Sequence, residues 1–355
     1  MLDIAIVIAS WNGKHLLADC LAALAKQTYQ KFKIILIDNG STDGTVNFVK
    51  EKYPEVELIV LDRNYGFAYP NSLGMEKALV DEDIKYVIAL NNDTKADEHY
   101  IEELVACAGR HPEAGAIQPK VINFFDQGVI DSVGMLIYRD MSAINKGQKE
   151  QDAGQYEKEE EIFGASASAA LYTRRALETI ALPRTGEKQK KDYFDSDYFA
   201  YYEDVDLAWR LRLAGFASFY TPKAKVLHVH SATGVNYSPF KAFHIHRNQY
   251  YNIIKNLPFG LMLRAFLFMP LRYGLLLSSM IKNKGAAANL SKNTKQSKEN
   301  VVSIVFRSWK ELFRNLPMLI RKRKIIQSKR KVTTRQIKHW LKIYKADIKK
   351  IIYGT

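Results

Sequence analysis

Residues 34–44 read Ile34-Ile35-Leu36-Ile37-Asp38-Asn39-Gly40-Ser41-Thr42-Asp43-Gly44. Four aliphatic residues run straight into a turn built from Asp, Asn, Gly, Ser and Thr. An unbroken, β-branched apolar run reads as a short strand buried on both faces, the kind a parallel sheet covered by helices contains. The same unit recurs on either side, with apolar runs at residues 4–9, 56–61 and 86–90. Segments of helical spacing lie between them: Leu16, Leu17, Cys20, Leu21 and Leu24 share one face, and Ile101, Leu104, Val105 and Ala108 share another. Short strands alternating with helices specify an α/β fold with a mainly parallel sheet and right-handed crossovers.

In such a sheet, ligands bind where the strands end. The four strands end in Ser10-Trp11-Asn12-Gly13, in Asp38 to Gly44, in Asp62-Arg63-Asn64-Tyr65-Gly66, and in Asn91-Asn92-Asp93-Thr94. Turns favour Asn, Asp and Gly for their own reasons. Four such turns delivered to one sheet edge nevertheless describe a polar cleft. Asp38 there either accepts hydrogen bonds from a base or ribose or only shapes its turn, and Asp43 reads as a turn and capping residue. Asp93 beside neutral amides suits a hard divalent cation that also holds a diphosphate.

Farther along, Tyr201-Tyr202-Glu203-Asp204-Val205-Asp206-Leu207 places three carboxylates at the start of a helix over 204–214, stopped by Gly215. The positive end of a helix favours ionised carboxylates, and an ionised carboxylate at a cleft is what a general base requires. Capping by Glu203 or Asp204 is the plainer role. His228 and His230 end a last strand over 225–230, and alternation puts them on one face, where both can meet a ligand. Residues 145–161 read as a mobile charged loop, 163–172 as a strand, 174–180 as a short helix and 188–191 as a basic loop.

The net charge of +14 is divided unevenly. Residues 1–240 hold 26 Lys+Arg against 35 Asp+Glu, a net of −9; residues 241–355 hold 26 against 3, a net of +23. An acidic body with a basic tail calls for an anionic partner, nucleic acid or anionic lipid. Residues 260–281 are apolar but interrupted by Arg264, Pro270 and Arg272, which describes an interfacial segment better than a spanning helix. A polar linker over 282–300 then leads to a helix over 301–320 and the run Arg321-Lys322-Arg323-Lys324. Two cysteines cannot build a disulfide framework, and the N-terminus carries no secretion-signal pattern. Phosphate-loop, dinucleotide, zinc-protease and nucleophile-elbow motifs are absent.

These pieces, in this order, resemble a family 2 glycosyltransferase of the GT-A fold. They are Ala9-Ser10-Trp11-Asn12, Gln27-Thr28-Tyr29, Ile37 to Gly44, Asn64-Tyr65-Gly66-Phe67-Ala68, Leu90 to Thr94, and Tyr202 to Arg210. The likeness spans residues 3–250 and is nearest to the rhamnosyltransferase-like branch that builds bacterial surface polysaccharides. It implies a GT-A domain over residues 1–255, and the charge and apolar pattern beyond it read as a basic, membrane-associating helical extension over 256–355. It implies Asp204 as catalytic base with Glu203 beside it, and Mg²⁺ or Mn²⁺ held by Asp93 and His228. It implies nucleotide-sugar contacts from Ser10, Asn12, Asp38, Asn39, Gly40, Asn64, Gly66, Phe67, Asn92, Trp209 and Arg210.

The implied reaction is inverting transfer from a nucleoside-diphosphate sugar, a dTDP- or UDP-sugar, to a lipid-linked saccharide. It would run at the cytoplasmic membrane face, with an anionic membrane surface and no nucleic acid as partner. Two departures stand out: Asn91 occupies the place of the metal motif's first Asp, and Tyr69-Pro70 replaces a small Gly pair. A nucleotidyltransferase should carry a Gly-rich basic loop after strand one, and Ser10 to Gly13 is not one. A nucleic-acid binder should interleave aromatics with its basic residues. A glycoside hydrolase leaves the diphosphate-type loops unexplained, and a degenerate transferase is the reading that Asn91 keeps open.

Overall fold

The structure is a computed structural model and describes residues 2–184, 191–229, 238–294 and 301–353. Its first half alternates as the sequence predicts: β1 (Ile4–Ser10), α1 (Lys14–Leu24), β2 (Phe32–Asp38), α2 (Thr45–Lys52), β3 (Glu57–Val60), α3 (Ala68–Ala78) and β4 (Tyr86–Leu90). There follow β5 (Thr94–Ala96), α4 (Tyr100–Arg110), β6 (Ala114–Asn123), β7 (Ile130–Ser132), β8 (Met135–Ile137), β9 (Ala143–Asn145), β10 (Glu160–Ile162), β11 (Ala169–Thr173) and α5 (Arg174–Ile180). The two-residue pair β12 (Leu182–Pro183) and β13 (Lys191–Asp192) precedes α6 (Glu203–Leu213) and β14 (Ala217–His228). Among the described residues six helices follow: α7 (Pro239–Asn256), α8 (Phe259–Ile281), α9 (Ala286–Thr294), α10 (Val301–Ser328), α11 (Thr334–Ile343) and α12 (Ile348–Tyr353).

The ten-stranded sheet has the order β10-β14-β6-β11-β4-β1-β2-β3, with β5 on β14 and β7 on β6. β4, β1, β2 and β3 are parallel, and β11 enters antiparallel between β4 and β6. Alternation along β1 supplies both faces. Ala5 and Val7 pack with Ile35 and Ile37 under α3, α5 and α6, while Ile4, Ile6 and Ile8 pack with Leu36 under α1, α2 and α4. Burial on both sides is why these strands lack polar alternation. Cys20 and Cys107 are free and buried, and burial pushes both thiols up to about 12.

Several details differ from the expectations. The strand expected over 163–172 forms only at Ala169–Thr173. Ahead of it, Gly164 lies so close to α6 that a Cβ would stand 2.3 Å from that of Ala208. Residues 145–161 are not a free loop: buried Lys120 pairs with Asp152 at 2.5 Å and Glu157 at 2.6 Å. The expected linker contains α9, and the apolar segment over 260–281 lies in one continuous helix despite Pro270. Of the basic loop over 188–191, residues 188–190 lie outside the described residues.

The boundary expected after residue 255 is not a break in packing. One apolar core joins Trp209 of α6, Tyr250 and Ile254 of α7, Ala265 of α8, Leu312 and Leu319 of α10, and Ile337 of α11. Several tail cations are used inside the protein. Lys322 pairs with Asp195 and Asp197, Arg272 pairs with Asp140 at 3.0 Å, and Arg323 donates to the carbonyls of Ile254 and Leu257.

Candidate active site

The register of the parallel strands brings the expected loops together. Ser10 stands beside Asp38 at the ends of β1 and β2. Asp38 is fully buried; its Oδ2 accepts from the Ser41 amide at 3.0 Å, and its Oδ1 has no partner among the described residues. A buried oxygen left unpaired costs about 1–3 kcal/mol, so this atom is a built acceptor awaiting a donor. Asn12, with φ of +49°, ties the first loop to the second: its amide donates to Ser41 Oγ at 2.9 Å and its Oδ1 accepts from the Thr42 amide at 2.7 Å.

Asn39 and Asn64 use their side chains to hold one loop to the next. Asn39 Nδ2 donates to Asn64 Oδ1 at 3.1 Å and to the Gly66 carbonyl at 2.8 Å, while its Oδ1 accepts from the Tyr65 amide at 2.9 Å. Gly40 and Gly66 are required as glycines. Both have left-handed φ, and a Cβ would stand 2.5 Å from Arg63 Cα and 2.3 Å from the Phe199 carbonyl, respectively. Phe67 turns its ring edge to Phe194 at 5.7 Å and donates its amide to the Phe199 carbonyl at 2.6 Å. Replacing Asn39 by Ala removes three such bonds at about 0.5–1.5 kcal/mol each. We expect the melting midpoint in urea to fall by the equivalent of about 2–3 kcal/mol, with nucleotide affinity falling in parallel.

At the third edge, Asn92 Nδ2 donates to Ser10 Oγ at 3.0 Å. The ladder between β5 and β14 sets Thr94 opposite His228, which carries His228 to the residue just before Thr94. His228 Nε2 lies 3.3 Å from Asp93 Oδ1, and Nδ1 lies 2.7 Å from Asp131 Oδ2. Burial would lower the imidazole, but Asp131 and Asp93 together push it up to about 10. Asp93 Oδ1 is buried without a hydrogen bond among the described residues. A carboxylate oxygen and an imidazole nitrogen side by side, the ring steadied from behind by a second carboxylate, would fit a divalent cation and its outer support once the cation displaces the Nε2 proton of His228. Asn91 Nδ2 sits 3.4 Å from the same imidazole nitrogen. His230 lies outside the described residues.

The fourth component is the segment ahead of α6. Phe199, Tyr201 and Tyr202 all have positive φ, of 63°, 67° and 70°, a strained run of the kind that persists only when its surroundings hold it. Helix α7 holds it. Asn248 Nδ2 faces the carbonyls of Tyr198, Ala200 and Tyr201 at 2.6–3.0 Å, Arg247 donates to those of Asp197 and Tyr198, and Asn252 to that of Tyr202. Below it, Lys255 pairs with Asp195 and with Asp206 at 2.8 Å.

Glu203 and Asp204 are the first two residues of α6, and the cap position belongs to Tyr202, so neither is the capping residue. Burial opposes the helix field that the sequence reading assigned to these carboxylates, and both are raised from the ordinary carboxylate value. Burial, then the charge of Asp204, raises Glu203 well above the usual carboxylate range. Burial pushes Asp204 up to about 6 against hydrogen bonds from the Val205 and Ala167 amides. Asp204 is therefore a carboxylate whose affinity for a proton suits removing one near neutrality.

Trp209 and Arg210 do not reach this cleft. Trp209 is fully buried, edge-on to Phe163 at 4.9 Å. Arg210 is spent on Asp206 Oδ2 at 2.7 Å and on the carbonyls of Ile180 and Tyr193. Both lie on turns of α6 that face the core, which corrects their assignment to the nucleotide. The sequence reading missed Asp131, Asn248 and Lys255. A trace of α7 was legible: Asn248, Asn252 and Asn256 recur at every fourth position of a helix otherwise rich in aromatics.

Residues 5–181 match the family model described as Glycosyl transferase family 2. The chain is 31% identical over 264 residues, 67% of its length and 79% of the relative's, to an N-acetylglucosaminyl-diphospho-decaprenol L-rhamnosyltransferase of Mycobacterium tuberculosis. It is 23% identical to a poly-beta-1,6-N-acetyl-D-glucosamine synthase of Staphylococcus epidermidis, covering 62% of this chain and 48% of the synthase, about half its length. Among solved structures, a mannosyltransferase from Pyrobaculum calidifontis in complex with GDP-Man and Mn²⁺ shares the fold, with a TM-score of 0.50 and 15% identity. That likeness covers 92% of this chain and 85% of the other. GalNAc-T7 with UDP, GalNAc and Mn²⁺ aligns with a TM-score of 0.52 at 16% identity, over 66% of this chain and 44% of its own.

Proposed function

We propose, since this chain belongs to glycosyl transferase family 2, that it moves a sugar from a nucleoside-diphosphate donor to a hydroxyl of a lipid-linked saccharide, inverting the anomeric carbon. The observation that carries the reading is Asp204, a proton acceptor raised toward neutrality that accepts from the Ala167 amide, next to Ser168, whose carbonyl takes the Asn91 amide of the Asp93 loop. An acceptor hydroxyl is a weak nucleophile, and Asp204 takes its proton as the new bond forms. One base and direct displacement give inversion without a covalent intermediate. Burial, then the charge of Asp204, raises Glu203, which disfavours a second negative charge beside the base.

The unpaired Asp38 Oδ1 is the acceptor for a base N–H, which suits the imide of uracil or thymine and favours a UDP- or dTDP-sugar. Asp93 and His228, backed by Asp131, would hold Mg²⁺ or Mn²⁺, an ion that when bound offsets the charge growing on a diphosphate leaving group. The relative from Mycobacterium tuberculosis, named for a decaprenol-linked acceptor, supports a lipid-linked acceptor here, and we read with it a place in cell-surface polysaccharide synthesis and peripheral attachment to the cytoplasmic membrane face.

A thermal-shift screen of UDP, dTDP, GDP and CMP, each with and without Mn²⁺ or Mg²⁺, tests the reading. A ligand at a hundred times its Kd adds about 2.7 kcal/mol of apparent stability. We expect a metal-dependent rise with UDP or dTDP and little with CMP. No rise with any nucleoside diphosphate would leave only a transferase scaffold that has lost its activity.

A further inference from the structure

We propose that the cleft between α8 and α11 binds the phosphate headgroup of an anionic membrane lipid while the outer face of α8 lies in the leaflet. The cleft encloses about 360 Å³ and is lined by five cations, Arg139, Arg264, Lys338, Lys342 and Lys345, with no acidic residue in its wall. Among the described residues none of the five is paired with a carboxylate. All five are exposed along the cleft, whereas the tail's buried cations Lys322 and Arg272 are each neutralised by an aspartate. Like charges gathered without partners repel one another, and a phosphate with several acceptor oxygens relieves that repulsion while accepting forked hydrogen bonds from arginine. The floor is apolar, made by Leu261, Phe268 and Leu341, so the occupant has an apolar part as well as an anionic head.

The lipid source follows from α8. Its inner face, with Leu261, Ala265 and Met269, packs into the protein core, and Arg272 on the same side is tied to Asp140. Its outer face exposes Leu263, Leu267 and Leu271 at successive turns, by 48%, 78% and 57%. The helix is long and apolar enough to cross a membrane, but one whole side is docked on protein along its length, so lipid cannot surround it. A helix with a protein-bound face, an exposed apolar face and cations at its flank lies in the plane of an interface. The inference deepens the transferase reading by stating how the enzyme would sit at the membrane that carries its acceptor.

The test is co-sedimentation of the full chain with phosphatidylcholine vesicles, with and without about 30 mol% phosphatidylglycerol. The triple variant Arg264→Glu, Lys338→Glu, Lys342→Glu is compared with Lys50→Glu, Lys52→Glu, Lys223→Glu, which changes net charge equally at exposed sites outside the cleft. We expect the cleft variant to lose at least tenfold in partitioning onto the anionic vesicles and the control less than about threefold. Leu267→Asn should weaken binding to both vesicle types. Equal losses in the two triple variants would reduce the effect to diffuse surface charge and overturn the proposal. Unchanged vesicle binding in the cleft variant, with inorganic phosphate still raising the wild-type melting temperature, would make the cleft a soluble-anion site and also overturn it. Turnover of a detergent-solubilised acceptor should persist in the cleft variant. Absence of turnover in the wild type would count against the transferase reading and leave the vesicle comparison standing.

Discussion

Asp204→Asn should lower kcat about a thousandfold, while the melting shift produced by the nucleoside diphosphate should stay near its wild-type size. The amide keeps the shape of the carboxylate and its hydrogen bond from the Val205 amide but cannot accept the acceptor's proton. In the wild type, kcat should rise with pH through a limb centred at about 6, because the base works only when deprotonated and burial holds its proton to that point. The same shift has a consequence for stability of the opposite sense. A carboxyl raised on folding contributes stability that is fully present below its ordinary value of 3.8 and lost as pH rises through about 6. Asn carries no charge at any pH, so the inactive variant should melt higher than wild type at pH 7, by roughly 1–3 kcal/mol, with the difference closing below pH 4. Retained turnover in the variant would remove Asp204 from the role of base.

Lys255→Met should cost about 3–5 kcal/mol, the largest loss of stability expected from a single exchange outside the apolar core. Lys255, Asp195 and Asp206 are fully buried, and Lys255 contacts both carboxylates. Burial alone would raise the Asp195 carboxyl, but Lys255 and Lys322 hold it well below the usual range. Removing the ammonium leaves buried charge without an adequate counterion. Because Asp195 is depressed on folding, its contribution is present above the ordinary carboxylate range and lost as pH falls, so the penalty should shrink under acid. Urea titrations at pH 7 and at about pH 2.5, below the ordinary carboxylate value, measure both parts. An accompanying Asp195→Asn should recover part of the loss, and no recovery would mean that Lys255 acts through packing alone. The same network makes deletion of residues 256–355 a poor probe of membrane binding, since it strips Lys322 from Asp195 and Asp197 as well as the cover over α7.

The sheet was legible because its signal is local. β1 to β4 need only a handful of aliphatic residues and a polar turn each, and all four lie where the apolar runs stand. The four loops were legible for the same reason, as were Asp93, His228 and the Glu203–Asp204 pair. What the pattern hid is what depends on distant partners. Asn39 and Asn64 look like ligand-binding amides, and only the geometry reveals them as ties between loops. Trp209 and Arg210 look like part of a polar motif, yet the helix turns them into the core. Asp131 reaches His228 from a three-residue strand that has no period to read. The segment that leads into Glu203 and Asp204 is held by α7, whose register against it no linear pattern reports.

The aspartate–lysine network also bears on the order in which the chain matures during synthesis. Asp195, Asp206 and Lys255 are made well before Lys322, the second cation on Asp195. A ribosome adding roughly 5–20 residues per second leaves an interval of several seconds in which the nascent catalytic layer is complete but Asp195 has half its counterions. During that interval the aromatic flank of α7, later covered by α10, faces solvent. Translation rate and chaperone supply should therefore govern the yield of soluble enzyme more strongly than the apolar sheet alone suggests, and slowing synthesis after residue 255 should lower it.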